Sequence, residues 1–314
     1  MSGAIPQTAP LVVPPVPDAS ARALRPGSAA ADWLLLAVPG LIWGASFLFI
    51  AEGLDAIGPN GLTFVRILVG FAALALVPAA RRPLAHSDWR GLAWLGLLWF
   101  AFPLSMFPFA EQRISSALTG MLNGATPLFT ALVAAVLARR APSRGIAVGL
   151  LVGLSGAVLV AWPSLDEGRS SLDGVLLVLA AVIAYGVALN IARPLQQRHG
   201  ALPVIWRAQA VALVLTAPLG LPDLLVAHWS TRPVLALLAL GALGTGLAQV
   251  LVTVASGRLG TTRASATTFL IPPVALLLGV VVRDERVAWL SVLGGATCVA
   301  GAWLIRRAQS AAPA

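Results

Sequence analysis

The sequence predicts an all-α membrane protein: ten transmembrane helices, arranged as two inverted five-helix repeats with both termini cytoplasmic. Three observations carry that prediction. Hydrophobic residues make up 58% of the chain and charged residues only 11%, where soluble domains carry roughly 25% charged residues. Apolar blocks of about 20 residues recur, each long enough at about 1.5 Å per residue to cross a hydrocarbon core of about 30 Å. The chain also matches itself at the spacing of 145 residues that separates Arg113 from Arg258.

Taken in order, residues 1–30 are rich in Pro, Ala and Ser. They hold no uninterrupted apolar core, and their arginines follow the short apolar patch instead of preceding it. This reads as a disordered cytoplasmic tail, not a signal peptide. Spans follow at 33–53, 61–80, 91–110, 117–138 and 145–162, forming a first repeat over 31–162. A second repeat over 163–307 holds spans at 173–192, 202–221, 233–255, 263–282 and 287–305, and 308–314 form a short C-terminal tail. The connections are short, so neighbouring helices run antiparallel.

Arginine placement orients the bundle. With a cytoplasmic N-terminus, Arg22, Arg25, Arg81, Arg82, Arg90, Arg139, Arg140, Arg144, Arg193, Arg198, Arg258, Arg263, Arg306 and Arg307 fall inside. Only Arg113, Arg169, Arg232, Arg283 and Arg286 fall outside, where most of the acidic residues lie. Both termini are then cytoplasmic, with the lipid bilayer as the surrounding partner.

The net charge of +9 does not imply nucleic acid, because the arginines sit mostly between apolar blocks. The one cysteine, Cys298, lies inside the last block and supports neither a disulfide nor a metal cluster. No metal or cofactor is expected. No P-loop signature is present. No buried His or Asp is available to activate a serine, which argues against an enzyme. Glu52 and Glu111 lie at span ends and His86, His199 and His228 in connections, so a proton relay through a mid-membrane acid is not expected.

The internal match places Pro127 on Pro272, Gly149 on Gly294 and Gly156 on Gly301. With a small shift, LIWG (41–44) falls on IAYG (183–186) and FVRILVG (64–70) near IWRAQAV (205–211). Five spans is an odd number, so the second half enters the membrane upside down, as in many secondary transporters.

Candidate site residues follow from this layout. Gly40 and Gly44 form a small-residue seam, and Trp43, Ser46 and Phe47 an adjoining face; Tyr185 is the matching aromatic in the second half. Pro127 and Pro272 are helix-kink residues. Each ring removes one N–H and pushes on the carbonyl four residues earlier, those of Asn123 and Thr268. A freed carbonyl in hydrocarbon needs a partner, either in a cavity or from a side chain nearby. Thr245, Gln249 and Thr253 recur every four residues and share a helical face, which serves either a neighbouring helix or a substrate. Trp99, Phe102, Met106 and Phe109 form a stripe that is either packing or cavity wall. Arg66 and Arg207 sit about one and a half turns inside their spans, within snorkelling reach of the interface, and suit a gate or scaffold role.

These features together resemble EamA-type permeases of the drug/metabolite transporter superfamily. The resemblance rests on five-plus-five spans, the IWG of the first helix, Arg66, the two prolines and the glycine-rich fifth and tenth helices, GLLVGLSGAVL and GGATCVAGAWL. It implies a secondary carrier of small metabolites in the cell inner membrane, commonly an exporter or exchanger of amino acids or related compounds. The central cavity would be lined by the first, third, fourth, sixth, eighth and ninth spans, and the glycine seams of the fifth and tenth would serve as scaffold or as a homodimer surface. Substrate-binding candidates are therefore Trp43, Ser46, Phe47, Trp99, Phe102, Met106, Asn123, Tyr185, Thr245, Gln249 and Thr268. Nucleotide-sugar or drug transport, a passive channel and a membrane-embedded enzyme are the alternatives. Arg140 stands opposite Glu285, so charge pairing there is not symmetric.

Overall fold

A computed structural model describes residues 29–84, 88–165 and 169–310. Among them run ten apolar helices: α1 (Ala30–Leu54), α2 (Pro59–Ala75), α3 (Trp89–Glu111), α4 (Ser116–Ala138), α5 (Arg144–Ser164), α6 (Ser171–His199), α7 (Ala201–Leu225), α8 (Thr231–Leu259), α9 (Ser265–Arg283) and α10 (Trp289–Ser310). All but α2 are long and apolar enough to cross a membrane. The second span ends early, at Ala75, and Pro78 opens a separate 3-10 turn, Pro78–Arg81. The expected N-terminal tail lies outside the described residues except at its end, where helix has already begun. Residues 308–310 belong to α10, a correction to the expected C-terminal tail.

Glycines position the bundle. A Cβ on Gly156 would lie 2.5 Å from the Cys298 nitrogen and 2.7 Å from the Gly294 oxygen. One on Gly149 would lie 2.9 Å from the Gly301 oxygen. Gly149 therefore meets Gly301 and Gly156 meets Gly294, so α5 and α10 cross antiparallel in backbone contact. The Cys298 thiol donates to the Gly153 carbonyl (3.3 Å) and the Ser291 hydroxyl to the Val160 carbonyl (2.9 Å) across the same seam. This glycine surface is filled within the chain.

The other contacts come in matched pairs. Gly44 on α1 seats against Ile271 and Val274 of α9, and Gly186 on α6 against Phe129 and Thr130 of α4. Gly96 on α3 meets Ala208 and Val211 of α7, and Gly241 on α8 meets Arg66 and Val69 of α2. Each of these contacts has its counterpart in the other half.

Four helices are irregular, also in pairs. A π-helical stretch interrupts α3 at Gly96–Ala101 and α8 at Leu240–Leu247. The helix of α4 breaks after Asn123 and restarts at Thr126–Ala138; α9 begins as a 3-10 stretch, Ser265–Leu270, before Ile271–Arg283. Pro127 and Pro272 sit in the first turn of the restarted helices, where a missing N–H is tolerated. They mark breaks, not kinks within continuous helix. The breaks meet: a Cβ on Gly124 would lie 2.6 Å from the Pro272 ring.

Candidate functional site

The bundle has an acidic face, where α1, α3, α5, α7 and α9 end, and an opposite arginine-rich face. On the acidic face Glu285, just past α9, caps the start of α4. Its carboxylate accepts from the Ser116 N–H (2.9 Å), the Ser116 hydroxyl (2.8 Å) and the Ala117 N–H (2.9 Å). Negative charge at a helix N-terminus satisfies orphan donors and suits the helix dipole. Nearby, buried Glu52 on α1 accepts from Arg232 (2.6 Å) and pairs with Arg283 (3.3 Å), which also reaches Asp55 (2.9 Å). These ties hold α1, α4, α8 and α9 together at this end. A cavity of about 370 Å³ opens beside them, lined by Glu111, Arg113, Ser115, Arg283, Glu285 and Arg286 among others.

The arginine-rich face is held differently. Arg258 on α8 pairs with Asp32 on α1 (2.7 Å). Asp88, ahead of α3, pairs with Arg198 (3.1 Å) and His199 (2.5 Å) of α6. The His199 hydrogen bond outweighs the opposing effect of burial and, with the Arg198 charge, holds the Asp88 carboxyl below the usual carboxylate range. The restarted part of α4 here packs on α6, while the start of α9 packs on α1.

Between the faces, aromatic rings form a chain: Phe47 meets Phe107 edge-on at 5.7 Å, and Phe107 meets Tyr185 at 5.9 Å. The Trp43 indole donates to the Gly244 carbonyl (2.9 Å), which ties α1 to the π-helical stretch of α8. Arg66 is buried, and its Nε donates to the Thr245 hydroxyl (3.0 Å). Gln209 donates to the Thr245 carbonyl (2.9 Å). Arg66, Thr245 and Gln209 are thus one node joining α2, α7 and α8, with Tyr185 and Glu111 within electrostatic reach of the guanidinium.

Several sequence expectations change here. Arg66 does not snorkel; it lies inside the protein. Arg207 does sit near an end, donating to the Ala80 and Pro203 carbonyls (both 3.3 Å) beside the Trp206 ring. Thr245 and Ser46 are buried, and both hydroxyls bond within the protein, Ser46 to the Ile42 carbonyl (3.0 Å). Thr245 therefore does not share the half-buried environment of Gln249 and Thr253, because the π-helical stretch turns it toward α2. The α3 stripe breaks for the same reason: Trp99 stacks on Phe100, Met106 packs on the core, and Phe102 is 37% exposed on the outside. Both freed carbonyls find partners in the chain, Asn123 from the Thr126 hydroxyl (2.8 Å) and Thr268 from the Ile271 N–H. Phe47 and Tyr185 both meet Phe107, while Trp43 is tied to Gly244 of α8.

Two features were missed. The Glu285 cap spans 169 residues of sequence, and no local signal announces it. Glu111, read as a span-end residue, has both carboxylate oxygens buried without a hydrogen-bond partner among the described residues.

The sequence profile of the EamA-like transporter family matches residues 32–162 and again 172–307. The chain belongs to this family. The transporter carries two EamA domains, one per half, and is a multi-pass membrane protein, not an enzyme. It is 30% identical over 283 residues to a probable terminal-alkyne amino-acid exporter of Streptantibioticus cattleyicolor, covering 88% of this chain and 93% of the relative. It is 26% identical over 290 residues to a probable amino-acid metabolite efflux pump of Salmonella typhimurium, covering 87% and 94%. A solved protein crystal structure shares the fold, with a TM-score of 0.59 at 21% identity over 88% of this chain and 96% of that one.

Proposed function

We propose that the transporter exports amino acids or related small metabolites across the inner membrane by alternating access, its halves acting as inverted repeats with both termini cytoplasmic. The observation that carries this reading is one-sided closure. Glu285 locks the start of α4 to the end of α9 at the acidic face, while at the other face the two helices lean on different partners, α6 and α1. In a duplicated bundle, exchanging which face is locked moves a central site from one side to the other. The acidic face is then the outer one, by the arginine bias.

The amino-acid assignment is supported by the names of the relatives, and by the Phe47–Phe107–Tyr185 aromatic chain, whose Tyr185 lies within electrostatic reach of the Arg66 charge. A solute with an apolar side chain and an ionised head group matches that chemistry. Proteoliposome counterflow across amino acids, drugs and nucleotide sugars tests it. Saturable exchange of amino acids is expected; linear, unsaturable flux of every solute would sink the carrier reading.

A further inference from the structure

Two of the carboxylates on the acidic face, Glu285 and Glu111, fare oppositely. Glu285 accepts three hydrogen bonds at the α4 N-terminus. Glu111, at the end of α3, has both oxygens buried and accepts none among the described residues. An ionised carboxylate without donors in a buried site carries a large desolvation cost, and a neutral carboxyl a much smaller one. Two neighbouring carboxylates also resist ionising together. The donors have gone to Glu285, so the proton belongs on Glu111.

The surroundings make this a switch and not a fixed acid. Facing Glu111 are Arg66 from α2, and Arg283 and Glu285 from the end of α9. Tyr185 of α6 and Glu52 of α1 lie among the same packed elements, and Arg113 and Arg286 line the adjoining cavity. Withdrawal of α9 would carry Glu285 away and bring water to the carboxyl through that cavity.

We propose that Glu111 is a proton-binding switch that governs opening of the acidic face. It takes a proton from water on the acidic-face side, forming the O–H bond that lets that face close. When the O–H bond breaks, the carboxylate keeps the electron pair and the proton passes to water. Opening the acidic face therefore requires the carboxyl to be ionised, and closing it requires the acid. This rests on the carrier reading for its consequence, but the site is tested without any solute.

Two measurements on purified full-length protein in nanodiscs decide it. The infrared spectrum of the wild type should contain a carboxylic-acid C=O band that vanishes on alkalinisation and is missing in Glu111→Gln. Separately, Leu118→Cys, at the floor of the acidic-face cavity, reports opening through its rate of maleimide labelling, corrected for thiolate fraction using a free thiol. Labelling should rise about tenfold per pH unit below its midpoint, as one proton lost per opening requires. With Glu111→Gln added, labelling should stay slow at every pH, and with Glu111→Asp the slope should return at a shifted midpoint. Absence of the band in the wild type, or pH-independent labelling of Leu118→Cys alone, overturns the proposal even if Glu111→Gln fails to fold. An unchanged slope in the Gln variant does the same. Amino-acid counterflow alongside any of these results leaves the carrier reading standing; a proton-linked switch without counterflow removes only that reading.

Discussion

Gly156→Ala tests how much the α5–α10 seam contributes to stability. The new methyl carbon would stand 2.5 Å from the Cys298 nitrogen and 2.7 Å from the Gly294 oxygen. Ordinary contact begins near 3.4 Å, so the two helices must part by close to an ångström. The obstructing atoms are main chain and cannot rotate away. Overpacking of this kind costs about 1–3 kcal/mol, and rigid neighbours put the figure near 3. Replacing a mid-helix glycine returns about 1 kcal/mol of helix propensity, leaving a net loss of about 2 kcal/mol. At about 2 °C per kcal/mol for a chain of this size, the melting temperature should fall by about 4 °C. Gly257→Ala is the control. Nothing stands within 4 Å of its added carbon, so it should hold or raise the melting temperature. Thermal unfolding in detergent, followed by intrinsic tryptophan fluorescence, reads both. A Gly156→Ala protein melting within about 1 °C of wild type would show that the helices separate freely and that the seam is not tight.

Other perturbations probe the ends and the centre. Glu285→Ala leaves the first N–H groups of α4 without an acceptor and should lower stability by about 1–2 kcal/mol, the usual range for losing a cap, measured by the same melting assay. Trp43→Ala and Gln249→Ala should each raise the half-saturation concentration for counterflow while folded protein is retained on size-exclusion chromatography; unchanged kinetics in both would mean the wrong helix faces line the path. The Asp88 tie has a defined pH sign. Its carboxyl is held below the ordinary range when folded, so its contribution is present above the unfolded value of about 4 and is lost as pH falls through the folded one. Hydrogen exchange of the α6 C-terminal turn should accelerate only below that range, and Asp88→Asn should abolish the dependence.

Much of the architecture is legible in the sequence because the bilayer constrains it so strongly. Blocks of apolar residues locate the helices, and matched Pro and Gly positions reveal the duplication, since both residue types act on the backbone. The GLLVGLSGAVL and GGATCVAGAWL segments signal close approach for the same reason, although only the structure pairs Gly149 with Gly301 and Gly156 with Gly294. The π-helical stretches at Gly96–Ala101 and Leu240–Leu247 were not legible. Hydrophobic periodicity is too weak inside uniformly apolar helices to register one extra residue per turn, and so neither the Trp99–Phe102–Met106 stripe nor the Thr245–Gln249 row keeps the single face that α-helical spacing predicts. Arg66 and Glu111 were placed by distance from a span end. Their burial depends on how neighbouring helices lean over them, which no single segment encodes.

The antiparallel glycine seam also bears on biogenesis. The chain is made and inserted from its N-terminus, so α5 enters the membrane long before α10 exists. Until then Gly149 and Gly156 lack the helix they pack against, and a bare main-chain groove fits acyl chains poorly. The last helix to emerge is thus the one that completes the first half. A nascent protein arrested or truncated before residue 289 would leave that groove open, a recognisable mark of immaturity for membrane quality control.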